Sequence, residues 1–161
     1  MTEVALAPAT PHAPSVIRLL LGKMGIAYKE VLDHHGLNPA RKVQAALLDD
    51  AVGALMVLFP QSQLLDLNRL TELTGRRLTA VPTERLEKML GKHSLSLLPG
   101  LPALTSSPCL YEESLLREPK LLINSGEPGV LLEITSEAFK TMLTKASAAN
   151  FGEALSSIRP N

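Results

Sequence analysis

Between Lys42 and Leu67 the chain runs apolar, polar and apolar again before a proline stop, and the remaining elements are arranged around that stretch. Ala45 to Leu48 and Ala54 to Phe59 each have the length of a strand, and Asp49-Asp50-Ala51-Val52-Gly53 between them has the chemistry of a hairpin turn. Both arms are almost continuously apolar where a half-buried strand would alternate. This predicts strands covered on both faces. Pro60 has no N–H to extend the ladder, and Asp66 then predicts the cap of a helix over Asn68 to Leu73 that Gly75 ends.

Upstream, Met1 to Pro14 is rich in Ala, Pro and Thr without amphipathic period, which predicts a mobile arm. Ser15 is expected to cap a helix whose apolar face is Val16, Ile17, Leu19, Leu20 and Met24, stopped by Gly25. Ile26 to Leu32 reads as a strand, and Asn38-Pro39 as the start of one short helical turn. Downstream, Arg76 to Val81 reads as a strand and Pro82-Thr83 as the opening of a helix over Glu84 to Leu90. His93 to Ser107 is irregular, broken by its prolines and Gly100. A loop this apolar is expected to fold over the core and wall a pocket. Cys109 to Tyr111 is a short strand, Glu112 to Leu116 one helical turn, and Lys120 to Asn124 with Val130 to Ile134 a second hairpin. Ser136 is expected to cap a helix through Leu143, and the tail to add one more turn over Phe151 to Leu155.

Strands and helices are therefore intermingled. The fold class is α+β, a strongly curled, barrel-like mixed sheet with short helices packed around it. Residues 15–146 are expected to form a single domain, with 1–14 as an arm and 147–161 as a tail. The length of 161 residues fits one domain with a proper core. Only 3% of residues are aromatic, against 45% hydrophobic, so that core must be built from Leu, Ala, Val, Ile and Met. A formal net charge of zero argues against a protein that holds long nucleic acid by bulk electrostatics, while leaving room for a local basic patch. The single cysteine, Cys109, excludes an intramolecular disulfide framework and fits a reducing, cytoplasmic setting. No apolar run reaches the roughly 18–20 residues of a membrane span, and no basic segment followed by an apolar one opens the chain.

Candidate chemistry is sparse. The chain has no phosphate-cradling glycine loop with Lys, no dinucleotide fingerprint, no nucleophile elbow and no His-Glu-x-x-His. His34-His35 point in opposite directions on an extended chain and suggest no third ligand, so they read as loop histidines, and neither metal nor cofactor is expected. Cys109 on an apolar strand reads as an inert buried thiol. Asp49-Asp50 and Glu112-Glu113 read as turn and first-turn residues, and Arg76, Arg77, Arg85, Lys88 and Lys92 as solvated charges.

Taken in order, several pieces resemble the YbaK-like, prolyl-tRNA-synthetase-associated family of aminoacyl-tRNA editing domains. They are Gly25 to Tyr28, Val43 to Leu48, Phe59-Pro60 with Leu64 to Leu67, and Leu73 to Arg76, followed by Gly100-Leu101-Pro102, Tyr111 to Leu116 and Asn124-Ser125-Gly126. The similarity runs from about Val16 to Leu143, and in outline is nearest to the divergent domains attached to signalling HDOD modules. It implies a curled mixed sheet with a small amino-acid pocket, and hydrolysis in trans of the ester on a mischarged tRNA, whose aminoacylated 3′ end would be the partner. Catalysis in that family resembles positioning by backbone amides and a lysine more than a nucleophilic triad.

The resemblance places the family lysine at Gln44, the candidate catalytic position, and substrate binding at Gly100, Ser125 and Gly126. Gln44 cannot supply a positive charge. Lys42 would share its face only if the strand reaches back that far. The family's glycine and Pro-Phe-Gly loop is reduced to Ser94 and Leu98-Pro99-Gly100, and the helix before the lysine strand is shortened between His35 and Val43. These departures sustain an alternative: a catalytically silent binding or regulatory module with a protein partner. The two readings separate on the pocket. An open polar space at Gln44, Gly100 and Gly126 favours the deacylase, and a plug of Leu97, Leu98 and Leu101 the silent module.

Overall fold

The apolar runs on either side of Asp49 to Gly53 do form the central hairpin, β2 (Lys42–Asp49) and β3 (Ala54–Pro60), preceded by α1 (Ser15–Met24) and β1 (Lys29–Leu32). After it come β4 (Gln63–Leu65), α2 (Leu67–Thr74), β5 (Thr79–Ala80), α3 (Thr83–Gly91), α4 (Pro102–Thr105) and β6 (Cys109–Glu112). A 3-10 turn (Glu113–Arg117), β7 (Lys120–Asn124), β8 (Val130–Thr135), α5 (Ser136–Met142), β9 (Ser147–Ala149) and β10 (Gly152–Ala154) follow. The computed structural model describes residues 11–143, 147–149 and 151–154, so most of the expected arm and tail lies outside the described residues.

The main sheet has the order β1-β8-β7-β2-β3-β6-β9, with β5 paired to the far end of β2, while β4 and β10 form a separate ladder. It is mixed: β2/β7, β3/β6 and β6/β9 are parallel, and the remaining pairs antiparallel. Its path begins at β1 and ends at β9 without closing.

Side-chain alternation along β3 explains why its sequence is apolar throughout. Met56 and Leu58 enter a large core with Ile17, Leu21, Leu121, Ile123, Leu132 and Phe139. Leu55 and Val57 turn the other way, into a smaller core with Leu48, Leu70, Leu78 and Phe151. The two faces are thus covered, as the continuous apolar runs required.

The hairpin tip is closed by charge. Asp50 accepts from the backbone N–H of Val52 and Gly53, and Arg76 forks onto both of its carboxylate oxygens at 2.9 and 2.7 Å. The Arg76 guanidinium holds the Asp50 carboxyl well below the usual carboxylate range. Arg85 pairs with Asp49 at 2.9 Å. Two of the basic residues expected to be merely solvated therefore serve the hairpin.

Boundaries differ from expectation where a neighbour outcompetes the local signal. Arg76 is drawn to Asp50, so the strand expected over Arg76 to Val81 shrinks to Thr79–Ala80. Pro14, not Ser15, is the N-cap of α1, and the Thr135 hydroxyl, not Ser136, caps α5 through the N–H of Ala138. Asp66 caps α2 as expected, and Gly75 ends it at φ +68°. Within the expected arm, Ala13 is buried and its N–H donates to Glu30. The helical turn expected over Phe151 to Leu155 is not present across the described part: Gly152–Ala154 is a strand paired with Gln63–Leu65. Its backbone is held extended by Glu112, whose carboxylate takes the N–H groups of Phe151 and Gly152.

Candidate functional site

The parallel strands β2 and β7 pair only at Lys42↔Leu122 and Val43↔Ile123. Beyond that β7 ends at Asn124, while β2 runs on to meet β5, and the strands part. Alternate strand residues share a face, so Lys42 and Gln44 project together, as do Leu122 and Asn124, with Leu131 directly opposite Asn124. The result is a cleft of about 240 Å³ whose polar lining is Asp33, Lys42, Gln44, Gln61 and Asn124. Leu97, Leu98 and Leu131 are its main apolar lining.

Strand β2 begins at Lys42, so the condition for Lys42 to share the face of Gln44 is met. The Lys42 side chain is only 13% exposed, and its Nζ lies 2.6 Å from Oδ1 of Asp33, whose side chain is 39% exposed. The Asp33 backbone is fixed in turn by its N–H, which donates to the carbonyl of Gly129 at 2.9 Å. With its Asp33 end open to water, this ion pair adds only modestly to stability. Its effect is to place one cation and one anion, each neutralising the other, beside the amides of Gln44, Gln61 and Asn124.

The apolar wall is positioned by the turn between β7 and β8. Asn124 Oδ1 accepts from the N–H of Gly126 at 2.8 Å, and the Ser125 hydroxyl, fully buried, donates to the carbonyl of Val130 at 2.8 Å. The carbonyl of Gly126 then accepts from the N–H groups of Ser96 and Leu97, at 3.0 and 3.1 Å, which sets the path of the loop past the cleft. Gly126 has φ +91°, and a Cβ there would lie 2.8 Å from Cδ2 of Leu95. Gly126→Ala is therefore expected to lower stability by about 1–3 kcal/mol, from backbone strain and displacement of Leu95. Urea unfolding measures it, and an unchanged midpoint would contradict this account of the wall.

Of the residues singled out from sequence, Gln44 lines the cleft, exposed. Gly100 is buried behind it, where a Cβ would meet Ile123 and Leu58, and Ser125 and Gly126 build the turn that anchors the wall. Leu97 and Leu98 border the space without filling it, and Leu101 is buried in the main core. Asp33, Gln61 and Asn124 were not picked out as site residues. For Asn124 and Gln61 the signal was their place at strand ends beside Ser125-Gly126 and Phe59-Pro60, and for Asp33 there was none.

The remaining candidates are occupied elsewhere. Cys109 is buried, and burial pushes its thiol up to about 12, too high for a thiolate nucleophile. His34 Nδ1 accepts from the N–H of Gly36 within its own turn. Among the described residues no group of three or more His, Cys, Asp or Glu is arranged to hold a metal ion, and no helix is long and apolar enough to cross a membrane.

The family described as the aminoacyl-tRNA editing domain matches residues 26–142, which include the mixed sheet and the cleft at its parting strands. The chain belongs to that family. Two solved structures share the fold. A protein assigned to signal transduction from Marinobacter aquaeolei VT8 superposes with a TM-score of 0.85 at 23% identity, over 93% of this chain and 33% of that one. This chain thus spans about a third of that protein's length. A protein assigned as a trans-editing enzyme for prolyl tRNA synthetase superposes with a TM-score of 0.69 at 22% identity, over 93% of this chain and 100% of that one. No curated protein matches the chain.

Proposed function

We propose that the chain is a trans-acting aminoacyl-tRNA deacylase, hydrolysing the ester of a small amino acid on the 3′ end of a mischarged tRNA. The observation that carries this reading is the open cleft at Gln44, with its lysine, three side-chain amides and leucine wall. At about 240 Å³ it is smaller than a typical drug-sized pocket of roughly 300–1,000 Å³, which suits a short side chain and the ester it hangs from. Lys42 lies two residues before the position of the family lysine and on the same strand face, so it serves as the positive charge that Gln44 cannot supply. Water is the nucleophile, and the chain contributes orientation and preorganised donors. A cytoplasmic location and a role in translation fidelity follow from this reading.

The silent-module reading is supported by the neutral Gln44 and the reduced loop at Ser94 and Leu98-Pro99-Gly100, and by the pairing of Lys42 with Asp33. The two are separated by incubating tRNAs acylated with alanine, serine or cysteine with the native chain and with Gln44→Lys. Hydrolysis of at least one by the native chain, well above the spontaneous rate, is expected. Activity confined to Gln44→Lys would identify a silenced site, and none in either folded protein would leave a binding module.

A further inference from the structure

The cleft holds one carboxylate, and it is the partner of the cleft's one lysine. Asp33 Oδ1 and Lys42 Nζ are 2.6 Å apart, yet the two ends of this pair differ in access: the lysine is largely covered, while the aspartate is more than a third exposed. Asp33 is also set on rigid backbone, through its N–H to Gly129. Arg41, the next cation along, is engaged separately by Glu133 at 2.8 Å and by the carbonyl of Lys120, so it does not compete for Asp33. An exposed carboxylate on a fixed backbone, opposite donors that suit carbonyl and hydroxyl oxygens, is a receptor for a small cation.

An aminoacyl ester brings such a cation. Its α-amino group, free on an aminoacyl-tRNA, is largely protonated near neutral pH, and it lies two bonds from the ester carbonyl carbon. We propose that Asp33 binds the α-ammonium of the aminoacyl group in exchange for Lys42. The incoming ammonium takes the place of Nζ on the carboxylate, and Lys42 swings free on its four-carbon stem to face the ester. Paired with Asp33 the lysine is masked, and the right substrate unmasks it. Only a substrate with a free amine can do so. An N-blocked aminoacyl group or a peptidyl ester leaves the Asp33–Lys42 pair intact, so the site discriminates aminoacyl from peptidyl esters. No bond is made or broken in the exchange; one ammonium replaces another. This inference rests on the reading of the cleft as an aminoacyl-ester site, and it names Asp33 as the specificity residue of that site.

The test uses the full chain and two non-hydrolysable probes, 3′-alanylamino-3′-deoxyadenosine and its N-acetyl derivative, whose amide linkage leaves only binding to be measured by titration calorimetry. The native chain is expected to prefer the free-amine probe by about tenfold, less than the full worth of a charge-assisted hydrogen bond because the Lys42 contact is given up in return. Asp33→Asn should bring that ratio close to one while leaving the N-acetyl probe's affinity within about twofold. Lys42→Met removes the competing ammonium and should raise the ratio above the native value. Equal binding of the two probes by the native chain would overturn the exchange and leave the cleft reading standing. So would an undiminished preference in Asp33→Asn. If the native chain binds neither probe, both the exchange and the aminoacyl-ester reading fall. The comparison on the native chain depends on no variant folding.

Discussion

Glu112→Leu is expected to destabilise the protein by about 3–5 kcal/mol, the loss seen when one side of a buried polar contact is removed and the other stays. Glu112 is 2% exposed, and a single carboxylate oxygen accepts from the N–H groups of both Phe151 and Gly152 at 2.7 Å. Leucine fills similar space but accepts nothing, so two backbone donors near the fully buried Phe151 ring lose their partner. Phe151 anchors the smaller core beneath β2 and β3, so loosening its backbone propagates to Leu48, Val57 and Leu70. For a chain of this size the melting temperature should fall by roughly 10 °C. Glu112→Gln keeps an acceptor oxygen and loses only the charge, and should cost about 1–2 kcal/mol. Thermal and urea unfolding of the three proteins provide the check. A leucine variant as stable as the native chain would show that Glu112 does not hold this segment.

The contrast between what the sequence disclosed and what it hid follows the range of the interactions. The central hairpin was legible because burial on both faces of β2 and β3 is written locally, as continuous apolar runs. The same holds for α2, whose start and stop are Asp66 and Gly75. The clamp at Glu112 joins residues 39 apart in sequence, and nothing near Phe151 announces it. The run Phe151-Gly152-Glu153-Ala154-Leu155 carries no strand period, so a helical turn was the default expectation, and the extended backbone comes from Glu112 and the edge of β4. The cleft shows the same division. Gln44 was visible only through the resemblance, as the position of the family lysine, and Lys42 through the two-residue period of a strand, given where the strand began. Asp33 follows the strand expected over Ile26 to Leu32 and carried no signal of its own. Its meeting with Lys42 depends on how β1 sits beside β8 and β2 beside β7, two pairings that no local pattern fixes.

Lys42→Met is expected to slow ester hydrolysis by about 10²–10³-fold, the usual effect of removing one donor from the charge that develops on a reacting carbonyl. Methionine matches the length of the lysine stem, so the packing of a side chain only 13% exposed is kept while the ammonium is lost. The loss should fall on kcat. If Asp33 takes the substrate ammonium, removing its internal competitor strengthens ground-state binding, and KM should drop or hold while kcat falls. A lysine that merely helped to hold the substrate would show the reverse, a raised KM with kcat preserved. Lys42→Arg restores charge without the compact ammonium, and its planar fork can remain on Asp33 in a bidentate pair, so only partial recovery is expected. Single-turnover deacylation of the most reactive mischarged tRNA, with thermal unfolding to verify the fold, distinguishes these outcomes. An unchanged rate in Lys42→Met would move the catalytic burden to the backbone donors and the amides of Gln44, Gln61 and Asn124, and would leave Lys42 as a structural partner of Asp33.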